Sequence, residues 1–235
     1  MLHPFLSTGV HALPSRRMTP IASEPSPFRS REEKLAERAE KREAVLRAAV
    51  RMFNARGFHA TSLDDVAASL NVSKPTIYHY LGNKEQVLLE CVSRGLEMLD
   101  AAAARARLQS GTGLDRLREF LRSYAEVNMD DFGRCVIRTG DEVLSAEGSR
   151  RFRALKSRID AALRSLIEEA VADGSIAATD VRLTAFTLAG ALNWPSRWHR
   201  PDGPMSASDI AIAMVDILTA GLAPRSAAND APQPL

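Results

Sequence analysis

The 235-residue sequence predicts an all-α protein of about nine helices. Three observations carry that expectation. Apolar residues recur at i, i+3, i+4 and i+7 in segment after segment, which marks one face of a helix. Alternation of period two, the sign of half-buried strands, is absent. Asn, Gly, Ser and Pro divide the segments where caps and turns belong, as at Gly57, Asn71, Gly82 and Gly174.

Composition narrows the class. Apolar residues make 45% and charged residues 26%, ordinary for a globular chain with a sizeable core. A net charge of +2 means that nucleic-acid binding must come from local charge. Cys91 and Cys135 lack metal-ligand spacing and read as free thiols in a reducing cytoplasm. No apolar run reaches the roughly eighteen residues of a membrane span.

Taken in order, residues 1–30 form an arm carrying Pro4, Pro14, Pro20, Pro25 and Pro27, expected to be disordered. Met18 offers an alternative start, which leaves translation of residues 1–17 open. From Arg29 to Arg56 there are nine basic residues against five glutamates, mostly a solvated helix face. Val45, Ala48, Ala49, Met52 and Phe53 give the first helix its apolar stripe, and Gly57 ends it.

The stretch Thr61–Glu85 reads as two short helices joined by a tight turn, then the start of a third. Ser62 caps the first of them with Asp65 three residues on, and Leu63, Val66, Ala67 and Leu70 form its buried face. Asn71 suits the left-handed turn. Ser73 is placed to cap the next helix, with Pro75 in its first turn. That helix is about two turns long and cannot stand alone. Ile77 and Leu81 anchor it, leaving Lys74, Thr76, Tyr78 and His79 outward. A small polar-aromatic helix displayed this way fits a DNA major groove. Asn83 then caps a third helix beginning at Lys84.

The run Val72–Leu81 followed by Asn83-Lys84-Glu85 resembles the DNA-binding signature of the tetracycline-repressor (TetR) family of transcriptional regulators. The similarity extends back over Glu43–Phe58, about fifty residues in all, and departs at Leu81, where the family usually has Phe. It implies a dimeric repressor on a palindromic double-stranded DNA operator. Lys74, Thr76, Tyr78 and His79 would contact bases, and Ser62, Ser73 and Lys84 phosphates. The expected division is a DNA-binding domain at 31–84, a ligand-binding and dimerisation domain at 85–223 and a disordered tail at 224–235.

Beyond Lys84 a long helix runs to about Leu108, then another from Leu114 to Val127 with Leu117, Phe120, Leu121 and Tyr124 inward. Gly133, Gly140 and Gly148 break residues 130–148 into short helices, and a long helix follows to Asp173. The segment Val181–Trp198 is apolar on nearly every side, so it needs burial against the core and a second subunit. Residues 206–222 supply a partner helix, and two such pairs make a four-helix dimer interface.

Pro195 kinks or ends the first of these helices. The surrounding run, Asn193 to Gly203, resembles the ligand domain of a TetR subgroup that senses acyl-CoA thioesters. That implies an acyl-CoA or amphipathic acid as effector, held by Asn193, Trp194, Arg197 and Trp198 with Arg138 offering charge to an anionic head. The tryptophans are equally suited to packing at the interface. Catalysis is not expected: the five histidines are scattered, Asp64-Asp65 and Asp130-Asp131 do not face each other on a helix, and no metal or cofactor motif is present. The competing reading is an all-helical small-molecule carrier or enzyme whose N-terminal helices are structural.

Overall fold

The computed structural model describes residues 30–177 and 179–222. The expected N-terminal arm, apart from Ser30, and the tail lie outside the described residues. Among those described the chain is helical without strands. Nine helices have seven or more residues, and a four-residue turn of helix adds a tenth.

Helix α1 (Arg31–Arg56) begins at a reciprocal capping box between Ser30 and Glu33 and ends at Gly57, whose φ of 84° only glycine adopts freely. Its first turns carry no core residue; burial begins at Val45, where the predicted stripe starts. α2 (Leu63–Ser69) and α3 (Lys74–Leu81) follow, separated by Asn71 at φ 53°. Ile77 and Leu81 of α3 are buried beneath α1 and α2, as the spacing predicts.

α4 (Lys84–Arg107) starts at an Asn83–Gln86 capping box and runs on into the larger C-terminal assembly. It packs on α5 (Gly113–Met129), α6 (Asp131–Arg138) and α7 (Ala146–Ala172). The approach to α6 is close because residue 95 is glycine. A Cβ there would stand 2.7 Å from the Phe132 carbonyl oxygen, inside any tolerable contact. α5 is the central helix, with Phe120 and Leu121 fully buried and neighbours in α4, α6, α7, α8 and α10.

The segment expected to run from Val181 to Trp198 divides into α8 (Val181–Asn193) and α9 (Pro195–Trp198). Pro195 lacks the N–H that would continue the ladder, so the axis breaks at Trp194. α10 (Ala207–Ala220) completes the fold against α5 and α8. Leu183 and Phe186 of α8 and Ile212 and Ile217 of α10 remain exposed on one chain. They are the surplus apolar surface expected of a subunit interface.

Candidate nucleic-acid interface and ligand cavity

The three short elements after α1 form a helix–turn–helix with α3 outermost. Tyr78 is 52% exposed and His79 is exposed beside it, its ring 5.4 Å from that of Tyr80. Tyr80 is half-buried against the core, so it belongs to packing. Lys74 pairs with Asp64 at 2.5 Å, and the carboxylate's hydrogen bond holds the ammonium pKa above its usual value. This pair bridges α2 and α3 and holds the lysine near the first turn of the helix.

Ser73 departs from its expected role. Its hydroxyl shares a 2.8 Å hydrogen bond with Thr76 Oγ1 instead of capping a backbone N–H of α3. Ser62 does cap α2, accepting from Asp65 N–H, while its own hydroxyl donates to Asp65 Oδ2. Lys84 stands 4.3 Å from the Phe58 ring centroid with Nζ 3.4 Å from the His59 carbonyl. Desolvation there lowers its pKa. The seven residues expected to touch DNA thus share one end of the molecule, around α3 and the starts of α2 and α4.

The expected ligand residues do not come together. A cavity of about 350 Å³ lies between α4, α5, α6, α7 and α8. Leu96, Leu99, Val136, Ile159 and Leu163 give it apolar walls, Asn193 lines one end, and Lys156 and Asp160 lie at its α7 wall. The Asn193 Oδ1 accepts from Tyr124 O–H at 2.9 Å and from Asn128 Nδ2 at 3.0 Å. Burial raises the Tyr124 pKa, so the phenol keeps its proton and remains a donor.

Trp194 and Trp198 line no part of this cavity; they are exposed, 61% and 48% respectively, because the break at Pro195 turns them outward. Arg138 and Arg197 line a different cleft of about 390 Å³, where the end of α1 meets α6 and α9. The Arg138 guanidinium donates to the Asn54 carbonyl there. Sequence reading missed Tyr124 and Asn128 as a polar pair fixing Asn193. Their i, i+4 spacing on the inward face of α5 was the available signal. Among the described residues no group of His, Cys, Asp or Glu has metal-binding geometry.

A displayed recognition helix on a three-helix unit, joined by α4 to a larger helical body with an apolar cavity, defines a helix–turn–helix DNA-binding regulator. Residues 45–91 match the family of bacterial regulatory proteins, tetR family, and residues 110–222 match the tetracyclin repressor-like C-terminal domain. The chain belongs to the TetR family. It is 30% identical over 191 residues to the HTH-type transcriptional repressor KstR2 of Rhodococcus jostii, covering 78% of this chain and 91% of the relative. Among solved structures, the TetR-family regulator PfmR of Thermus thermophilus aligns with a TM-score of 0.67 at 34% identity, over 74% of this chain and 96% of that one. AibR, solved in complex with isovaleryl coenzyme A and operator DNA, aligns with a TM-score of 0.66 at 25% identity, over 75% and 97%. No helix among the described residues is long and apolar enough to cross a membrane.

Proposed function

We propose that this protein is a dimeric transcriptional repressor that holds its operator through α3 and releases it when an amphipathic acid, or the CoA thioester of one, enters the cavity at Asn193. Lys74, Thr76, Tyr78 and His79 read base edges, and Ser62, Ser73 and Lys84 hold phosphates. The cavity carries the effector reading: apolar walls suit an acyl chain, while Asn193 and Lys156 offer polar contacts to its head. AibR, with its acyl-CoA and operator, and the repressor KstR2 support the same assignment by likeness. Regulation, not catalysis, is the proposed activity.

Release follows if the ligand prefers the arrangement in which the two α3 helices no longer match successive major grooves. A preference of about 3 kcal/mol changes the ratio of states roughly 150-fold. α4 is the mechanical link, since its first turn lies in the DNA-reading unit and Leu96 and Leu99 line the cavity. The test is titration of acyl-CoAs and the matching free acids against a pre-formed complex with DNA from upstream of the gene. Release by one series at micromolar concentration is expected. Failure of every compound to release DNA would remove the effector assignment, and failure to bind the DNA would remove the repressor assignment.

A further inference from the structure

Helices α3 and α4 are joined by two residues, Gly82 at φ 72° and Asn83, so the chain itself does little to fix the angle between them. A side chain from a third helix bridges the joint. Arg42 of α1 donates from Nε to the Tyr80 carbonyl at 3.3 Å, and its two terminal nitrogens donate to the two carboxylate oxygens of Glu90 in the second turn of α4. The Tyr80 carbonyl lies past the closing bond of α3, in which Gly82 N–H donates to the Tyr78 carbonyl. It is one of the acceptors that a helix end leaves without a partner of its own, and a guanidinium there also meets the negative end of the helix dipole. At its other end α3 is tied to α2 by the Lys74–Asp64 pair, with Ile77 and Leu81 buried beneath. The recognition helix is thus pinned at both ends.

We propose that Arg42 is a positioning residue for DNA reading: through Glu90 it sets the angle of the recognition helix against α4, and it acts through α3 rather than on a phosphate. Its Nε and both terminal nitrogens are already engaged within the protein, so a phosphate would have to displace Glu90 to gain the fork. One planar group supplies donors in two directions here; a lysine could serve Glu90 or Tyr80, not both. Arg94 of α4 makes a separate bridge to α1, 3.2 Å from Glu43 and 4.0 Å from Glu90, without reaching α3. Leu96 and Leu99, which line the apolar cavity, lie further along α4, so the Arg42–Glu90 tie carries a displacement of α4 into α3. That consequence rests on the effector reading above, whereas the positioning rests only on α3 reading DNA.

Binding of the full chain, without effector, to a duplex that the wild type selects from a random pool and to a scrambled duplex tests the proposal. Arg42→Gln should lose at least tenfold in specific affinity, while its affinity for the scrambled duplex changes less than threefold. Its slope of log affinity against log salt should match the wild type, where a lost phosphate contact would reduce it by about 0.9. Arg42→Lys should recover only part of the loss. Glu90→Gln should also lose specificity, and the double variant should lose no more than Arg42→Gln alone, because Glu90 acts through Arg42. Arg94→Gln should keep the wild-type ratio. In the free proteins, amide exchange over residues 75–83 should quicken in Arg42→Gln, with residues 91–107 unchanged and equal helicity by circular dichroism. Equal losses on the two duplexes, a reduced salt slope, full recovery by lysine, additive losses in the double variant, lost specificity in Arg94→Gln or unchanged exchange over 75–83 would each overturn the assignment. If Arg42→Gln does not fold, Glu90→Gln decides by the same ratio and exchange. A wild type that selects no sequence would remove the recognition reading itself, and the exchange measurement would still decide the tie.

Discussion

Arg51 of α1 donates from Nε to Asp131 Oδ2 of α6 at 2.9 Å, across 80 residues of sequence. Beside it Asn54 Nδ2 donates to the Asp131 backbone carbonyl at 2.8 Å, and Arg47 lies over the Phe132 ring at 5.3 Å. The DNA-reading unit therefore meets the sensory body along a polar seam between α1 and α6, in addition to the covalent link through α4. A seam that joins one buried amide to exposed arginine contacts can separate more cheaply than a wholly apolar one, as a switching element requires.

The first prediction concerns that seam. Arg51 is two-thirds exposed, so Arg51→Ala should change stability by no more than about 1 kcal/mol. Asn54→Ala removes a buried donor from the Asp131 carbonyl and should cost about 1–3 kcal/mol. Both should shift the effector concentration needed for half-release, because both bias the arrangement of α1 on α6. Chemical unfolding and operator-release titrations read the two effects separately. Unchanged release in both variants would show that the seam is only structural.

The second prediction addresses α3. Tyr78→Ala removes an exposed ring and leaves Ile77 and Leu81 in place, so folding and dimerisation should persist. Specific affinity should fall by about 1–3 kcal/mol per half-site. Lys84→Ala should reduce the slope of log affinity against log salt by about 0.9 for each phosphate that the lysine neutralises. It also removes a cation from the Phe58 ring, so a small loss of stability should accompany it. Salt-dependent gel shifts on specific and scrambled duplexes distinguish these effects, and equal affinity of Tyr78→Ala for both duplexes at wild-type strength would exclude the helix from recognition.

The DNA-reading unit was legible because its signals are local. Ser62 with Asp65, Asn71 and Asn83 act within a few residues of their own positions, and Ile77 and Leu81 announce burial by spacing. The residues expected to hold a ligand were less legible because their grouping depends on how helices cross. Asn193 and Arg197 are four apart, yet the break at Pro195 puts them in different cavities. The same break exposes both tryptophans, which helical periodicity alone had set beside them. Tyr124 carried a core signal and a polar role together, and only its contact with Asn193 separates the two. Arg138 meets Asn54 from 84 residues away, a distance no sequence pattern encodes.

A third prediction follows from the apolar surface of α8 and α10. Leu183 is 64% and Ile217 75% exposed on the single chain, and burial is worth about 1.5–3 kcal/mol for each such side chain. Replacing Leu183 or Ile217 by Glu would bury a charge twice across a two-fold interface, where each copy meets its symmetry mate's surface. The double variant Leu183→Glu, Ile217→Glu should sediment near the 25.7 kDa chain mass, where the wild type should show about twice that. A wild-type monomer at micromolar concentration would contradict the assignment of this face.

The last prediction is a pH dependence centred on His199. The residue is 8% exposed and both ring nitrogens lack partners, while its carbonyl accepts from Arg134 Nη2 at 3.1 Å. Burial first, and the Arg134 charge second, lower the imidazole pKa below its usual value of 6.5. In the unfolded chain the imidazole takes its proton near that usual value, but in the folded chain only at lower pH. Stability from this group is therefore complete above about pH 6.5 and is lost as pH falls below it, at up to roughly 1.4 kcal/mol per pH unit for one proton. The capping carboxylates Asp65, Asp115 and Asp173 have lowered pKa values, so their contributions are lost only below the ordinary carboxylate range. The carboxylate losses therefore set in at lower pH than the loss from His199. Urea unfolding at pH 7.5, 6.5 and 5.5, at one protein concentration, should show wild type losing more stability between the last two points than His199→Gln. Parallel losses in the two proteins would mean that His199 is already protonated in the folded state or reaches solvent freely.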